Sequence, residues 1–235
     1  MLDLLPLLTD DGELIELQEN FAPNMITALG RIDGKAVGFV ANNPMHNAGC
    51  IDADAADKGA RFIRICDAYN VPLVYVVDTP GYLPGVEQEK VGLIHRGAKF
   101  AFALVEATVP KVSLIVRKAY GGAYAVMGSK NLTGDINLAW PTAQIAVMGS
   151  AAAVVMIAGK QLAAAETPEQ RAMTKKMFMD FYDETMTAPY VAAERGYLDA
   201  MVKPSESRLA LRRALRQLEG KQASDLPKKH TIAPM

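Results

Sequence analysis

The residues best placed to do chemistry in this sequence are small ones whose backbone, rather than side chain, would act. Gly121, Gly122 and Ala123 follow the apolar run KVSLIVR and open a helical pattern. Small residues at the start of a helix let backbone N–H groups approach a ligand oxygen, which is how an oxyanion hole is built. The same glycines could instead serve only to turn the chain tightly from strand to helix. Spacing alone leaves both interpretations open.

A second cluster of glycine and proline lies in the segment DTPGYLPG, directly after the preceding apolar run PLVYVV. If the two apolar runs are neighbouring parallel strands, both clusters leave from the carboxyl edge of the same sheet. We therefore predict that the loop over 78–85 and the turn over 121–125 line one crevice.

Ionisable side chains offer little alternative chemistry. The sequence has no GxGxxG, Walker phosphate loop, HExxH or GxSxG, so nucleotide binding, zinc peptidase and serine hydrolase activities lose their usual support. His46, His95 and His230 are scattered along the chain. Glu87 and Glu89 could form a carboxylate pair, but they are more simply explained as loop charges. The expected chemistry is therefore that of the backbone.

The composition indicates a globular chain whose partner is a small molecule or another protein. Half of the 235 residues are hydrophobic, and 25 basic residues nearly balance 26 acidic ones, so no overall field favours nucleic acid or an anionic membrane. Cys50 and Cys66 have neither a CxxC spacing nor nearby histidines, which argues against a zinc site and fits a reducing compartment. The N-terminus lacks a basic signal-peptide region, and no apolar run approaches ~20 residues. We expect a cytoplasmic protein without a metal.

Hydrophobic periodicity predicts one α/β domain over residues 1–220. MITALGRI and KAVGFVAN flank Asp33-Gly34, a dipeptide suited to a type I′ turn, and so predict a hairpin over 25–42. A helix is expected over 52–69, with Asp52 or Asp54 able to cap its first turn. Strands and helices then alternate, which predicts parallel strands with right-handed crossovers. Residues 221–235 lack periodicity, and we expect them to form an extended tail.

The later part of the chain is predicted to be mainly helical. AQIAVM indicates a short strand and GSAAAVVMIAG a helix of small residues. Another helix is predicted to begin at a Thr167 cap, with Pro168 in its first turn and Gln170 completing a capping box. An apolar stripe on this helix is typical of a core or a subunit interface. The stripe consists of Met173, Met177, Phe178 and Phe181.

Several short blocks, in their order and spacing, resemble one protein family. They include VDTPGYLPG, GLIHRGAKF, EATVPKVSLIVRKAYGGAYAVMGSK and LAWPTAQIAVMGS, and the likeness runs from about Asp11 to the end. Together they resemble the C-terminal carboxyltransferase domain of biotin-dependent acyl-CoA carboxylases, as found in the β subunits of propionyl-CoA and acetyl-CoA carboxylases. The resemblance implies an α/β, crotonase-like (ClpP/crotonase) fold built as a spiral of ββα units.

The resemblance also implies the location of a site. In this family the N-terminal domain binds the acyl-CoA, the C-terminal domain receives carboxybiotin, and the active site lies between domains of two subunits. Carried over to this sequence, the N–H groups of Gly122 and Ala123 would hold the ureido oxygen of biotin. The surrounding biotin and substrate contacts would come from Pro80, Gly81, Leu83, Pro84, Gly85, Gly121, Tyr124 and Ala125.

The implied partners follow from what the sequence matches. Because the likeness covers the C-terminal domain, the CoA site and a second oxyanion hole would come from an N-terminal half, either a separate polypeptide or the rest of a longer protein. Carboxybiotin would arrive on a biotin carboxyl carrier working with a biotin carboxylase subunit, and a homo- or hetero-oligomer is expected. Ala125 stands where propionyl-CoA-type enzymes carry Asp, a position associated with acyl-chain choice, so the identity of the acyl-CoA stays open.

The expected activity is transfer of the carboxyl group of carboxybiotin to the α-carbon of a short-chain acyl-CoA. A biotin-dependent decarboxylase subunit of the glutaconyl-CoA or methylmalonyl-CoA type would run the transfer in reverse. A non-catalytic partner subunit would keep the fold without the reaction. The intact GGA turn and PGYLPG loop favour an active chain over that second alternative. A crotonase-type hydratase is disfavoured because it would need a carboxylate pair over the thioester.

Overall fold

The computed structural model describes residues 1–222. These residues form one mixed sheet with helices on both faces. The sheet has eight strands in the order β1-β2-β3-β4-β5-β6-β8, and β7 pairs with β5 beside this path. The strands are β1 (Leu14–Leu17), β2 (Met25–Ile32), β3 (Lys35–Asn42), β4 (Leu73–Thr79), β5 (Lys111–Tyr120), β6 (Ile136–Ala139), β7 (Gln144–Ala146) and β8 (Ala200–Met201).

Helices connect the strands and form a long excursion after β7. They are α1 (Leu5–Leu8), α2 (Ala53–Ala68), α3 (Val86–Lys90), α4 (Leu93–Glu106), α5 (Gly121–Val126), α6 (Ser150–Ile157), α7 (Gly159–Ala163), α8 (Pro168–Tyr182), α9 (Pro189–Glu194) and α10 (Ser207–Gln217). Within residues 1–222, none of these helices is both long and apolar enough to cross a membrane.

The strand directions confirm the predicted hairpin and the predicted parallel sheet. β2 and β3 pair antiparallel up to Ile32 and Lys35, and both turn residues, Asp33 and Gly34, have positive φ, as a type I′ turn requires. From β3 onward, neighbouring strands are parallel. Asp52 caps α2 by accepting a hydrogen bond from the Ala55 N–H at 2.8 Å, also as predicted.

β5 is the longest strand and has two partners on one side. Its first half pairs with β6 at Val112 to Ile115, and its last three residues pair with β7. Sequence analysis found β7 but missed β6, because the four residues of β6 are too few to show a period. In chain order, β6, β7 and α6 form one of the ββα steps of the fold.

Two apolar layers enclose the central strands, which explains their uninterrupted hydrophobic sequences. All seven residues of β4 are buried. Tyr75 and Val77 belong to the layer that contains residues of α2 and α4, whereas Val74 and Val76 belong to the layer that contains residues of α1 and α10. A strand covered on both faces needs apolar residues at every position, and the PLVYVV run meets this need.

Helix α8 begins as expected but does not bury the stripe along it. Thr167 Oγ1 accepts from the Gln170 N–H at 3.1 Å, which confirms the cap. The Gln170 side chain accepts from the Glu166 N–H at 3.0 Å, one residue before the cap, so the predicted capping box is shifted. Phe178 packs against α6 and α7 residues, but the rest of the stripe is exposed to solvent. The exposed residues are Met173, Met177 and Phe181.

The predicted tail, residues 221–235, lies outside the described residues except for Lys221 and Gln222. The Lys221 Nζ donates to the Val109 carbonyl at 3.0 Å and to Asp135 Oδ2 at 2.8 Å. These contacts attach the segment after α10 to the start of β5.

A buried lysine closes the carboxyl end of α4. Lys111 is 1% exposed, and its Nζ donates to the carbonyls of Leu104 and Ala107 at 3.0 and 2.7 Å and to Thr133 Oγ1 at 2.8 Å. Burial, together with repulsion from Lys221, lowers the pKa of Lys111 to about 8. The ammonium group thus satisfies helix-end carbonyls at the cost of its own desolvation.

We expect the stability of the protein to rise with pH above about 8 through Lys111. The folded pKa is about 8 and the ordinary value is 10.5, so the unfolded chain binds more protons between these pH values. The free energy of unfolding should therefore grow by about 1 kcal/mol per pH unit in that window, relative to Lys111→Met. Urea unfolding of both proteins across this range measures the difference. A difference that stays constant with pH would contradict the assignment.

Candidate active site

Three loops meet at the carboxyl edge of the parallel strands. The loop after β3 and the loop after β4 are joined by two backbone hydrogen bonds: Ile51 N–H to the Gly81 carbonyl at 3.1 Å and Leu83 N–H to the Ile51 carbonyl at 2.9 Å. The Tyr82 ring then lies 3.7 Å from where a Cβ on Gly122 would stand. The two glycine clusters singled out in the sequence are therefore neighbours in space.

The turn from β5 into α5 is built for backbone donors. Gly121 has φ +56°, and a Cβ there would lie 3.0 Å from the Val147 carbonyl oxygen, so this position favours glycine on two grounds. Gly122 is exposed, whereas Ala123 is buried and anchors the turn to the core. The first N–H groups of a helix have no carbonyl partner within it. Those of Gly122 and Ala123, the second and third residues of α5, therefore have no carbonyl partner within the helix.

A cavity of about 580 Å³ lies beside this turn. The turn contributes Gly121, Gly122 and Ala125 to its lining, and most of the remaining wall is apolar or aromatic. The other lining residues are Tyr124, Asn131, Ile145, Ala146, Val147, Tyr182, Met186, Val191, Ala192, Arg195 and Tyr197.

The loop after β4 lies next to this cavity without lining it. The residues singled out there are half-buried or exposed, and the residue that reaches Gly122 is Tyr82, which sequence analysis passed over. Burial raises the pKa of Tyr82 to about 12, and burial does the same for Tyr124 in the turn. Both phenols are therefore neutral near pH 7. The loop residues concerned are Pro80, Gly81, Leu83, Pro84 and Gly85.

A buried carboxylate holds the end of β5 in place. The β4–β5 register shifts between Val77 and Thr79, and Asp78 lies at this irregularity. Both Asp78 carboxylate oxygens accept from the Arg117 Nε at 3.0 Å, and Oδ1 also accepts from the Lys118 N–H at 3.3 Å. The Asp78 N–H donates to Asn42 Oδ1 at 3.1 Å. Strands β3, β4 and β5 are thus joined just before the glycine turn.

Other ionisable candidates lie away from the cavity lining. Glu87 pairs with Lys90 at 2.7 Å on the exposed surface of α3, so it is a surface charge, but on a short helix rather than in a loop. His46 and His95 are exposed and do not line the cavity, and His230 lies outside the described residues. In the described part of the chain, no group of three or more His, Cys, Asp or Glu side chains could hold a metal ion.

The far wall of the cavity could not be found from the sequence. It comes from the end of α8, from the π-helical turn over Asp183–Thr187, and from α9 with the residues after it. Tyr182, Met186 and Arg195 contribute from these elements. They lie more than 50 positions after the glycine turn, and only the packing of the helical excursion onto β7 brings them near it.

The described residues form a mixed α/β sheet whose parallel strands end, at their carboxyl edge, in a glycine turn beside a cavity. The chain belongs to the carboxyl transferase domain family, because the sequence model of that family matches residues 1–232. It is 53% identical over 226 residues to the biotin-dependent acetyl-/propionyl-coenzyme A carboxylase beta5 subunit of Mycobacterium tuberculosis, covering 96% of this chain and 41% of that protein. It is 48% identical over 235 residues to the methylmalonyl-CoA decarboxylase subunit alpha of Propionigenium modestum, covering 100% and 45%.

Solved structures confirm the crotonase-like fold. A transcarboxylase 12S structure, described as a hexamer with methylmalonyl-coenzyme A bound, matches all of this chain and 44% of its own with a TM-score of 0.94 at 40% identity. The geranyl-CoA carboxylase beta subunit of P. aeruginosa matches 96% of this chain and 43% of its own with a TM-score of 0.81 at 28% identity. The chain spans less than half the length of these relatives.

We expect the two adjacent glycines to respond differently to alanine. Gly121→Ala forces a side chain into the left-handed region and against the Val147 carbonyl, so it should lower the free energy of unfolding by about 1–2 kcal/mol. Gly122→Ala meets only the Tyr82 ring at 3.7 Å and should cost less than about 0.5 kcal/mol. Chemical denaturation of both variants measures this; equal losses would show that backbone strain does not distinguish the positions.

Proposed function

We propose that this chain is the biotin-facing half of a carboxyltransferase that moves the carboxyl group of carboxybiotin to the α-carbon of a short-chain acyl-CoA. The observation that carries the proposal is that Gly122, in the first turn of α5, lines the 580 Å³ cavity, with the buried Ala123 next to it in the chain. Family membership supports the reaction class. The relatives named as biotin-dependent carboxylase subunits support the cofactor.

The site fits the ureido ring of biotin in size and chemistry. Cavities of roughly 300–1,000 Å³ hold small ligands, and this one combines apolar walls with few polar groups. Gly122 leaves open space where a larger residue would stand against Tyr82. Biotin, arriving on a carrier protein, supplies the nitrogen that bears the carboxyl group. The N–H groups of Gly122 and Ala123 would hold its ureido oxygen.

The backbone can supply the electrostatic part of this reaction. The N–H groups of Gly122 and Ala123 would stabilise the negative charge that transfer of the carboxyl group to the α-carbon places on the ureido oxygen, and the positive end of the short helix α5 would favour that charge. The apolar walls reduce screening by water, which strengthens the interaction. Removing one such donor typically costs ~10²–10³ in rate, so no side-chain acid has to be invoked.

The remaining part of the active site would come from an N-terminal-half carboxyltransferase domain or subunit. The chain covers only 41–45% of its carboxylase and decarboxylase relatives. Helices α6 and α8 expose large apolar side chains, and contiguous exposed apolar surface marks an interaction site. These side chains are Val155, Met156 and Ile157 on α6 and Met173, Met177 and Phe181 on α8, which we call the apolar arm. A biotin carboxylase subunit and the biotin carboxyl carrier would complete the oligomeric complex.

Direction of transfer is the main alternative within this function. A methylmalonyl-CoA decarboxylase subunit is nearly as similar as the carboxylase subunits, so a decarboxylase that passes the carboxyl group to biotin has a specific observation in its favour.

Cytoplasmic action is supported by Cys50 and Cys66, which are free thiols rather than a disulfide. A non-catalytic role is the outcome in which the site is formed but no transfer occurs.

The first test compares Gly122→Pro with Gly122→Ala in the complex that this chain forms with its partners. Proline removes the N–H in the first turn, where a helix tolerates it, whereas alanine keeps the N–H. We expect carboxyl transfer between carboxybiotin and propionyl-CoA or acetyl-CoA, measured in both directions, to fall ~100-fold or more in Gly122→Pro and much less in Gly122→Ala.

Circular dichroism establishes that both variants are folded. Equal rates of carboxyl transfer in the two variants would contradict the backbone-donor mechanism. Absence of transfer in the folded wild-type complex would favour the non-catalytic alternative, and transfer only from acyl-CoA to biotin would favour the decarboxylase.

The second test concerns the apolar arm. Met177 and Phe181 are 59% and 60% exposed, so Phe181→Glu and Met177→Lys should leave the fold intact but weaken capture of an N-terminal-half domain by about tenfold or more. Leu209→Glu on α10, 46% exposed, is the matched control. Quantitative pull-down measures the binding. If the control weakens capture as much as the arm variants, the arm is not the interface.

A further inference from the structure

We propose that Arg195 binds anionic oxygen atoms, of a carboxylate or a phosphate, in the acyl-CoA whose acyl group meets biotin at the cavity beside Gly122. The inference rests on the proposed function and adds a substrate-binding residue to it. Arg195 follows α9 directly and lines the same cavity as Gly122 and Ala125.

The backbone at Arg195 is held firmly. Its N–H donates to the Val191 carbonyl at 3.3 Å, and Gly196 takes a positive φ that ends the helix. The next N–H, of Tyr197, returns to the Ala192 carbonyl at 2.9 Å. Ala192 and the following Leu198 are buried in the main core, so the turn carrying Arg195 is anchored on both sides. The Arg195 side chain is exposed to solvent and lines the cavity from this anchored turn.

The charge of Arg195 is unmatched within the described part of the chain. Several other arginines lie in ion pairs, such as Arg117 with Asp78 and Arg96 with Asp54. Among residues 1–222, no carboxylate forms an ion pair with Arg195, and it is the one charged residue among those that line this cavity. Asp183, in the nearby π-helical turn, is outside the lining and accepts a hydrogen bond from the Ser150 hydroxyl at 3.0 Å.

A guanidinium in an otherwise uncharged wall selects an anion. Arginine presents paired N–H donors that match carboxylate and phosphate oxygens. An acyl-CoA carries such oxygens in two places: the carboxylate of a carboxylated acyl group and the phosphates of CoA. Both the carboxylate and the phosphates could bind Arg195. The two cases differ in which substrates would bind less tightly when Arg195 is replaced.

The test is calorimetric binding to the complex of this chain with its partners. The probes are methylmalonyl-CoA, propionyl-CoA and methylmalonyl-pantetheine, which lacks phosphates. Arg195→Gln removes the charge, Arg195→Lys keeps it without the planar fork, and Arg213→Gln, on the exposed face of α10, is the matched control.

If Arg195 binds the acyl carboxylate, Arg195→Gln should weaken methylmalonyl-CoA and methylmalonyl-pantetheine by about tenfold or more and leave propionyl-CoA unchanged. If it binds a phosphate, both CoA thioesters should weaken equally and the pantetheine ester should not. In either case Arg195→Lys should recover part of the affinity.

Three results would overturn the proposal. Arg195→Gln could bind all three probes with unchanged affinity, Arg213→Gln could lose as much affinity as Arg195→Gln, or the wild-type complex could fail to bind the probes. Carboxyl transfer by the wild-type complex, measured separately, reports on the proposed function. A transferring complex whose Arg195→Gln variant binds normally would therefore reject Arg195 and retain the function.

Discussion

The site depends on one buried carboxylate at the middle of the sheet. Asp78 lies where the β4–β5 register shifts, and without a side-chain acceptor the Lys118 N–H would lose a partner at that irregularity. Asp78 supplies the acceptor and also receives the Arg117 guanidinium, while its own N–H is held by Asn42. Because β5 runs straight into the glycine turn, this junction helps to position the backbone N–H groups of the proposed site.

The same economy explains why the site has so few reactive side chains. Two N–H groups at a helix start stabilise developing charge only if water is kept away, and apolar walls do this better than charged ones. The chain supplies one wall from the turn and another from α9. Arg195 is the one charged residue in the lining among the described residues, and the proposed anion would account for it. In the proposed half-site, a partner domain would cover the exposed apolar arm on α6 and α8.

Local signals predicted the local structure well. The type I′ turn at Asp33-Gly34, the Asp52 and Thr167 caps and the buried strand β4 all depend on contacts within a few residues or on burial of a whole strand, so they are visible in sequence. β6 was missed because it is too short to show a period. The sequence showed the apolar stripe on α8 but not its exposure. The spacing of apolar residues is the same whether the stripe packs against this chain or against another.

By itself the sequence determined the family, the α/β class and the two glycine clusters, because short blocks with special backbone requirements keep their residue types and order. Only the tertiary structure decided which residues surround those clusters. Tyr82 meets Gly122 through a bridge between two loops, and Arg195 reaches the cavity through the packing of a helical excursion on β7. Such contacts join residues far apart in the chain, and their geometry is set by the sum of many packing interactions rather than by any local pattern.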